Sequence, residues 1–259
     1  MNGETVLRLA LVPAAVWLAS LAARRWGHKV SGYLGGMPLI GGPITLFLAL
    51  DHGEEFAARS ALFTLAAIAA QATHLMLLGH VGRRTGSWIA ALLAGWCGFA
   101  VMALAVVQVP LSPAIGLVLA LAGLAAAWRW LPRYRGLASL PGIPPLELRL
   151  RLAAAFLLAG FILWSAPIFG PVVSGVLLSL PITGSIMPPF TLALYGADAL
   201  ARLLRGFVVG LSGFAAFFFV VASATPAWGI AGAFTAAVAS AMAAAFVVDH
   251  LARRGSSRS

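Results

Sequence analysis

Apolar residues run along this chain in long blocks, separated by short connections rich in Arg, Gly and Pro. About 20 apolar residues carry a helix across the hydrocarbon layer. Nine such blocks are present: Val6–Leu21, Val30–Leu50, Ala58–Leu78, Trp88–Val109, Ala114–Leu131, Leu152–Phe169, Val172–Tyr195, Leu203–Ala222 and Gly229–Val248. The pattern predicts an all-α integral membrane protein with nine transmembrane helices. The first block begins with Glu4 and Arg8, and Arg24 and Arg25 follow it. A cleaved leader has the opposite polarity, so the block reads as a retained span.

Composition strengthens this picture. Of the 259 residues, 61% are hydrophobic and 9% charged, and the mean hydropathy is +0.98. Soluble domains carry about 25% charged residues. The net charge of +10 does not signal nucleic acid, because nine spans sort it by side. Of the 17 Lys and Arg, all but Arg8 and Arg59 fall on one face. Cytoplasmic loops collect such residues, so the N-terminus is expected outside and the C-terminus in the cytoplasm of a bacterial inner membrane. The lone Cys97 can make no internal disulfide.

The chain also repeats itself. Shifted by 143 residues (147 − 4), Glu4 falls on Glu147, Leu7 to Ala10 on Leu150 to Ala153, and Val30 to Gly32 on Val173 to Gly175. Leu34, Pro38, Gly41, Phe47, Gly53, Ala58 and Arg59 fall on Leu177, Pro181, Gly184, Phe190, Gly196, Ala201 and Arg202. Beyond residue 60 the match fades, although Trp88 and Trp228 open comparable spans at a slightly different offset. The reading divides the chain into a four-helix repeat (1–110), a connecting span with a cytoplasmic linker (111–146), and a second four-helix repeat with a short polar tail (147–259). Five crossings separate the first span from the sixth. An odd number makes the second repeat an inverted copy, a plan found in many secondary transporters.

Spans two and seven are interrupted by Gly and Pro at matching places: Pro38, Gly41, Gly42 and Pro43 in one, Pro181, Gly184, Pro188 and Pro189 in the other. Proline withholds an amide donor, and a carbonyl freed within the membrane must face protein, water or ligand. Paired broken spans point to a midplane site, to which Thr45, Thr183, Ser185 and Thr191 add hydroxyls. Kinks that permit close helix packing are the plainer explanation.

Each repeat twice places an acid four residues before an arginine: Glu4/Arg8 and Glu55/Arg59, then Glu147/Arg151 and Asp198/Arg202. That spacing shares a helical face and complements the helix dipole. The alternative role is a pair of gates at opposite mouths. No acid lies clearly at mid-membrane. The interior candidates for coupling are Gln71 and His74, on one face of span three, whose counterparts are Phe214 and Phe217. A hydrogen-bonded structural histidine is the competing role for His74. The scattered histidines form no metal motif, and no nucleophile set is present, so neither enzyme activity, metal nor cofactor is expected.

The segment Gly32-Tyr33-Leu34-Gly35-Gly36-Met37-Pro38-Leu39, with Pro43 beyond it and Gly175 to Pro181 in the second half, resembles the second-span pattern of the four-span bacterial membrane protein family GlpM. The resemblance implies a duplicated, fused four-span unit and carries no site residue across. The general plan is similar to drug/metabolite transporters, although the membrane carboxylate of the small multidrug members is missing. These readings predict a transporter of a small polar or anionic molecule held between spans two and seven, working by alternating access in the lipid bilayer. The alternative is a non-catalytic scaffold subunit of an envelope-biosynthesis or transport complex, with a homodimer or membrane-complex partner.

Overall fold

The computed structural model describes residues 12–14, 17, 34, 37–133 and 144–256. The first predicted span, the acids and bases at Glu4 and Arg8, and the opening of the second span lie largely or wholly outside the described residues. Within them the regular structure is entirely helical: α1 (Gly41–His52), α2 (Glu54–Ala66), α3 (Ile68–Thr85), α4 (Trp88–Val106), α5 (Pro113–Trp130), α6 (Pro145–Leu178) and α7 (Ile182–Ser256). Four helical stretches are long and apolar enough to cross a membrane: Glu54–Thr85, Trp88–Val106, Pro113–Trp130 and the run Pro145–Leu251. The outward faces of α4 and α7 show why this is a membrane protein. Val101 is 70% and Phe246 71% exposed, surfaces that only lipid covers at low cost.

Helices α2 and α3 form one rod that is irregular only at Ala67, where the Ala70 N–H bonds the Ala67 carbonyl in a tighter turn. The 107-residue run is punctuated by glycines. Gly170 (φ 72, ψ −175), Gly196 (φ 79, ψ −176) and Gly229 (φ 68, ψ 173) adopt a backbone that residues with a Cβ avoid. It is broken again at Ser179–Pro181, between α6 and α7.

These breaks keep the register of the sequence repeat, 143 residues apart. Gly53 (φ 90, ψ 172) matches Gly196. Gly86 stands 143 residues before Gly229, but it closes a helix in the left-handed region (φ 67, ψ −5), whereas Gly229 is extended at ψ 173. Trp88 opens α4, and Trp228 immediately precedes the Gly229 break. At the offset of 143 residues, positions 54–85 fall on 197–228. The interruption before α1 repeats as well. Met37 N–H bonds the Leu34 carbonyl and Leu39 N–H the Met37 carbonyl, as Leu180 bonds Leu177 and Ile182 bonds Leu180.

The two equivalent rods lie against each other and run antiparallel. Arg83 reaches Asp198 at 3.9 Å. Gly82 packs on Leu200 and Gly79 on Leu204, and at the far end Gly229 lies beside Glu54. Leu65, Ile68, Leu75, Leu203, Leu204, Phe207, Phe214 and Phe218 fill the core they share with α5. A second apolar cluster joins α1 to residues 155–182.

Candidate functional site

The break at 179–181 and the first turns of α7 contain backbone carbonyls that prolines leave without a helical donor. Pro188 has no N–H, so the Gly184 carbonyl four residues earlier loses its helical donor. His74 replaces it from the other half: its Nε2–H donates to the Gly184 oxygen at 3.3 Å. One turn earlier on α3, the Gln71 amide donates from Nε2 to the Ser179 carbonyl at 2.6 Å. Thr64 Oγ1 lies 2.9 Å from both the Ser60 and the Gly175 carbonyls, which share its one proton. Gly175 permits this approach, because a Cβ there would lie 2.4 Å from the Ser60 oxygen.

Ser60, Thr64, Gln71 and His74 therefore form a stripe along the α2–α3 rod, facing residues 175–184 of the second half. All four side chains are buried. At 1.5 Å per residue the stripe is about 21 Å long. Three of its polar atoms, Ser60 Oγ, Gln71 Oε1 and His74 Nδ1, have no hydrogen-bond partner. Buried polar atoms are rarely left so. The His74 ring packs edge-on to Trp96, with centroids 6.0 Å apart. Its Nδ1 faces Gly95, where a Cβ would come within 2.9 Å.

The first half's break is built differently. Gly41 and Gly42 are not open to a ligand: their faces are taken by the rings of Phe218 and Phe217, at 3.1 and 3.4 Å from the Cβ each would carry. Phe214, Phe217 and Phe218 pack on one another there, with centroids 4.5 and 5.1 Å apart. Thr45 occupies the place of Pro188, and its Oγ1 donates to the Gly41 carbonyl at 2.7 Å. The carbonyl that His74 caps in one half is thus capped locally in the other, where Phe217 stands in place of His74. The stripe itself has no polar counterpart, since Ser60, Thr64, Gln71 and His74 correspond to Leu203, Phe207, Phe214 and Phe217.

The interruptions fall at 37–40 and 179–181, so Gly41, Gly42 and Pro43, and Gly184, Pro188 and Pro189, lie inside the helices that follow. Between the two breaks the structure is apolar: Ile40 and Ile44 cluster with Leu177, Leu178, Leu180 and Ile182. The polar atoms lie on the flank of the second break. Thr183 stands in the first turn of α7, beside Pro181, and Thr191 is buried two turns further on. The Ser185 hydroxyl donates to the Pro181 carbonyl at 2.7 Å.

The charged residues gather at the rod ends. Glu55 and Arg59 are exposed at one end, near Asp51 and Glu54. At the other, Asp198 pairs with Arg83, whose Nη1 also donates to the Arg133 carbonyl at 2.5 Å. Arg205 donates to the Leu131 and Pro132 carbonyls and lies over the Trp128 ring at 5.4 Å. Glu147 and Arg151 form a buried ion pair at the start of α6, and Arg202 is half-buried one turn after Asp198. Among the described residues no three His, Cys, Asp or Glu side chains come together to hold a metal.

No protein-family model, curated protein or solved structure matches the chain.

Proposed function

We propose that this chain is a membrane transporter for a small polar or anionic molecule, assembled from two inverted copies of a GlpM-like four-span unit and a connecting fifth span. One observation carries the reading. Equivalent rods, 54–85 and 197–228, pack antiparallel, and each lies against the interrupted segment of the opposite half. A two-fold axis perpendicular to the rods produces that exchange, and in a bilayer such an axis lies in the membrane plane. Transporters use this relation because the two halves can trade conformations, opening a shared site to each side in turn.

The substrate binds beside the second break, where α3 presents Gln71 and His74 to residues 179–184. The rod end carrying Arg83, Arg129, Arg133 and Arg205 faces the cytoplasm of a bacterial inner membrane, and the end carrying Asp51, Glu54 and Glu55 faces outward. Asp198–Arg83 and the Glu147–Arg151 pair close the inner mouth. The test is purification alone, followed by reconstitution into liposomes and a panel of neutral, anionic and cationic solutes. Solute-dependent flux and thermal stabilisation are expected. A protein that is stable only with an obligate partner, and that responds to no solute, would overturn the reading in favour of a scaffold subunit.

A further inference from the structure

The two pseudo-symmetric faces differ in kind, and the difference selects a class of solute. The face on 37–42 is sealed by Phe214, Phe217 and Phe218. The face on 175–184 carries the stripe Ser60, Thr64, Gln71 and His74. We infer that the transporter has a single, asymmetric site along this stripe, and that it takes an uncharged solute bearing hydroxyl or N–H donors. The inference rests on the transport reading and narrows it.

Three observations carry it. Gln71 is 93% buried (100 − 7) and Ser60 is fully buried, yet Gln71 Oε1 and Ser60 Oγ have no partner. Gln71 Nε2 is committed to Ser179, because a carbonyl can only accept. That leaves Oε1 as an obligate acceptor waiting for a donor. The Ser60 hydroxyl, about 16 Å further along the stripe, can donate and accept, so the two lie at separate points of one path and each suits the O–H or N–H of an alcohol or amide.

The second observation is charge. Residues 60–82, 89–106, 166–197 and 206–223, which surround the stripe, contain no Lys, Arg, Asp or Glu. An anion there would meet helix amides but no countercharge, and an isolated ion in such surroundings is costly. A neutral solute avoids that cost. The third is exclusivity: every polar position of the stripe is apolar in its copy, Leu203, Phe207, Phe214 and Phe217. A duplicated unit that needed two equivalent paths would have no reason to seal one of them.

The experiment uses the full chain in proteoliposomes. Stopped-flow light scattering measures entry of urea, erythritol and inositol, and encapsulated dyes report acetate and phosphate. Entry of at least one neutral solute is expected, about tenfold slower in Gln71→Leu, the loss of one hydrogen bond to the solute. Gln71→Leu also gives up the bond to Ser179, so Ser60→Ala provides a second variant. That hydroxyl holds no bond in the protein, so Ser60→Ala should fold normally and slow the same solute. Entry of anions alone, or neutral entry untouched by both variants, overturns the asymmetric neutral site while leaving the transport reading standing. No entry of any solute into vesicles containing inserted, folded protein overturns both.

Discussion

The histidine on α3 and the proline on α7 form a pair that can be taken apart. His74→Phe installs the residue found at the equivalent position, Phe217, and removes the donor to the Gly184 carbonyl. That carbonyl is then buried without its helical N–H, which Pro188 lacks, and without the imidazole. An orphaned buried acceptor costs about 1–3 kcal/mol. The 3.3 Å separation is long for N–H···O, which favours the middle of that range, about 2 kcal/mol. Pro188→Thr installs the residue at the other equivalent position, Thr45, whose hydroxyl caps Gly41 at 2.7 Å. It returns an N–H to Gly184 and adds a second donor. In the Pro188→Thr background, His74→Phe should therefore cost about 0.5 kcal/mol or less, a coupling of about 1.5 kcal/mol in a double-mutant cycle. Any crowding of the Phe ring against Gly95 occurs in both backgrounds and cancels. Equilibrium unfolding of the four proteins in one detergent or bicelle provides the numbers. If His74→Phe costs the same with Pro as with Thr at 188, the bond to Gly184 is not what His74 is for, and the account of the second break fails.

Other perturbations follow from the same geometry. Gly196→Ala forces a Cβ onto a backbone at φ 79, ψ −176 with open space around it. The loss is therefore pure backbone strain, about 1–3 kcal/mol, and Gly53→Ala should lose a similar amount by thermal melting. Gly175→Ala is limited by space, since the new Cβ would stand 2.4 Å from the Ser60 oxygen. Overpacking of about 1–3 kcal/mol or more should appear with a normal α-helical CD spectrum. Glu147→Gln takes the carboxylate away from the buried Arg151 and should cost about 3 kcal/mol, whereas replacing both partners with apolar residues should cost much less. Equal losses in the single and double variants would contradict the ion-pair assignment.

The fold was legible in the sequence where the signal is long or chemically rare. Long apolar blocks announced helices, and Pro38 and Pro181, in register, each fall in an interruption that the structure contains. Beyond residue 60 the register disappeared among Ala, Leu and Phe, which match by chance. Gly86 and Gly229 share the offset and a positive φ but differ in ψ, and a glycine's backbone angles are invisible until the chain is folded. Pro188 and Pro189 read as a break, although the helix passes through them. The interruption lies at Ser179–Pro181, and the prolines instead release carbonyls. The departure of Gln71 and His74 from their Phe counterparts was visible. Ser60 and Thr64 were overlooked because hydroxyls in spans are ordinary, each able to bond its own helix. Their position against Gly175, a contact more than 100 residues away in sequence, gives them meaning. The aromatic seal over Gly41 and Gly42 was hidden for the same reason.

The central claim is that equivalent positions face opposite sides of the membrane. Single cysteines at Glu55 and Asp198, and at Thr85 and Trp228, in a Cys97→Ser background, test it with a membrane-impermeant thiol reagent on oriented vesicles. Each pair is 143 residues apart and exposed at a rod end. The account predicts that Glu55→Cys and Trp228→Cys label from one side, and Thr85→Cys and Asp198→Cys from the other. Labelling of Glu55→Cys and Asp198→Cys from the same side would contradict it.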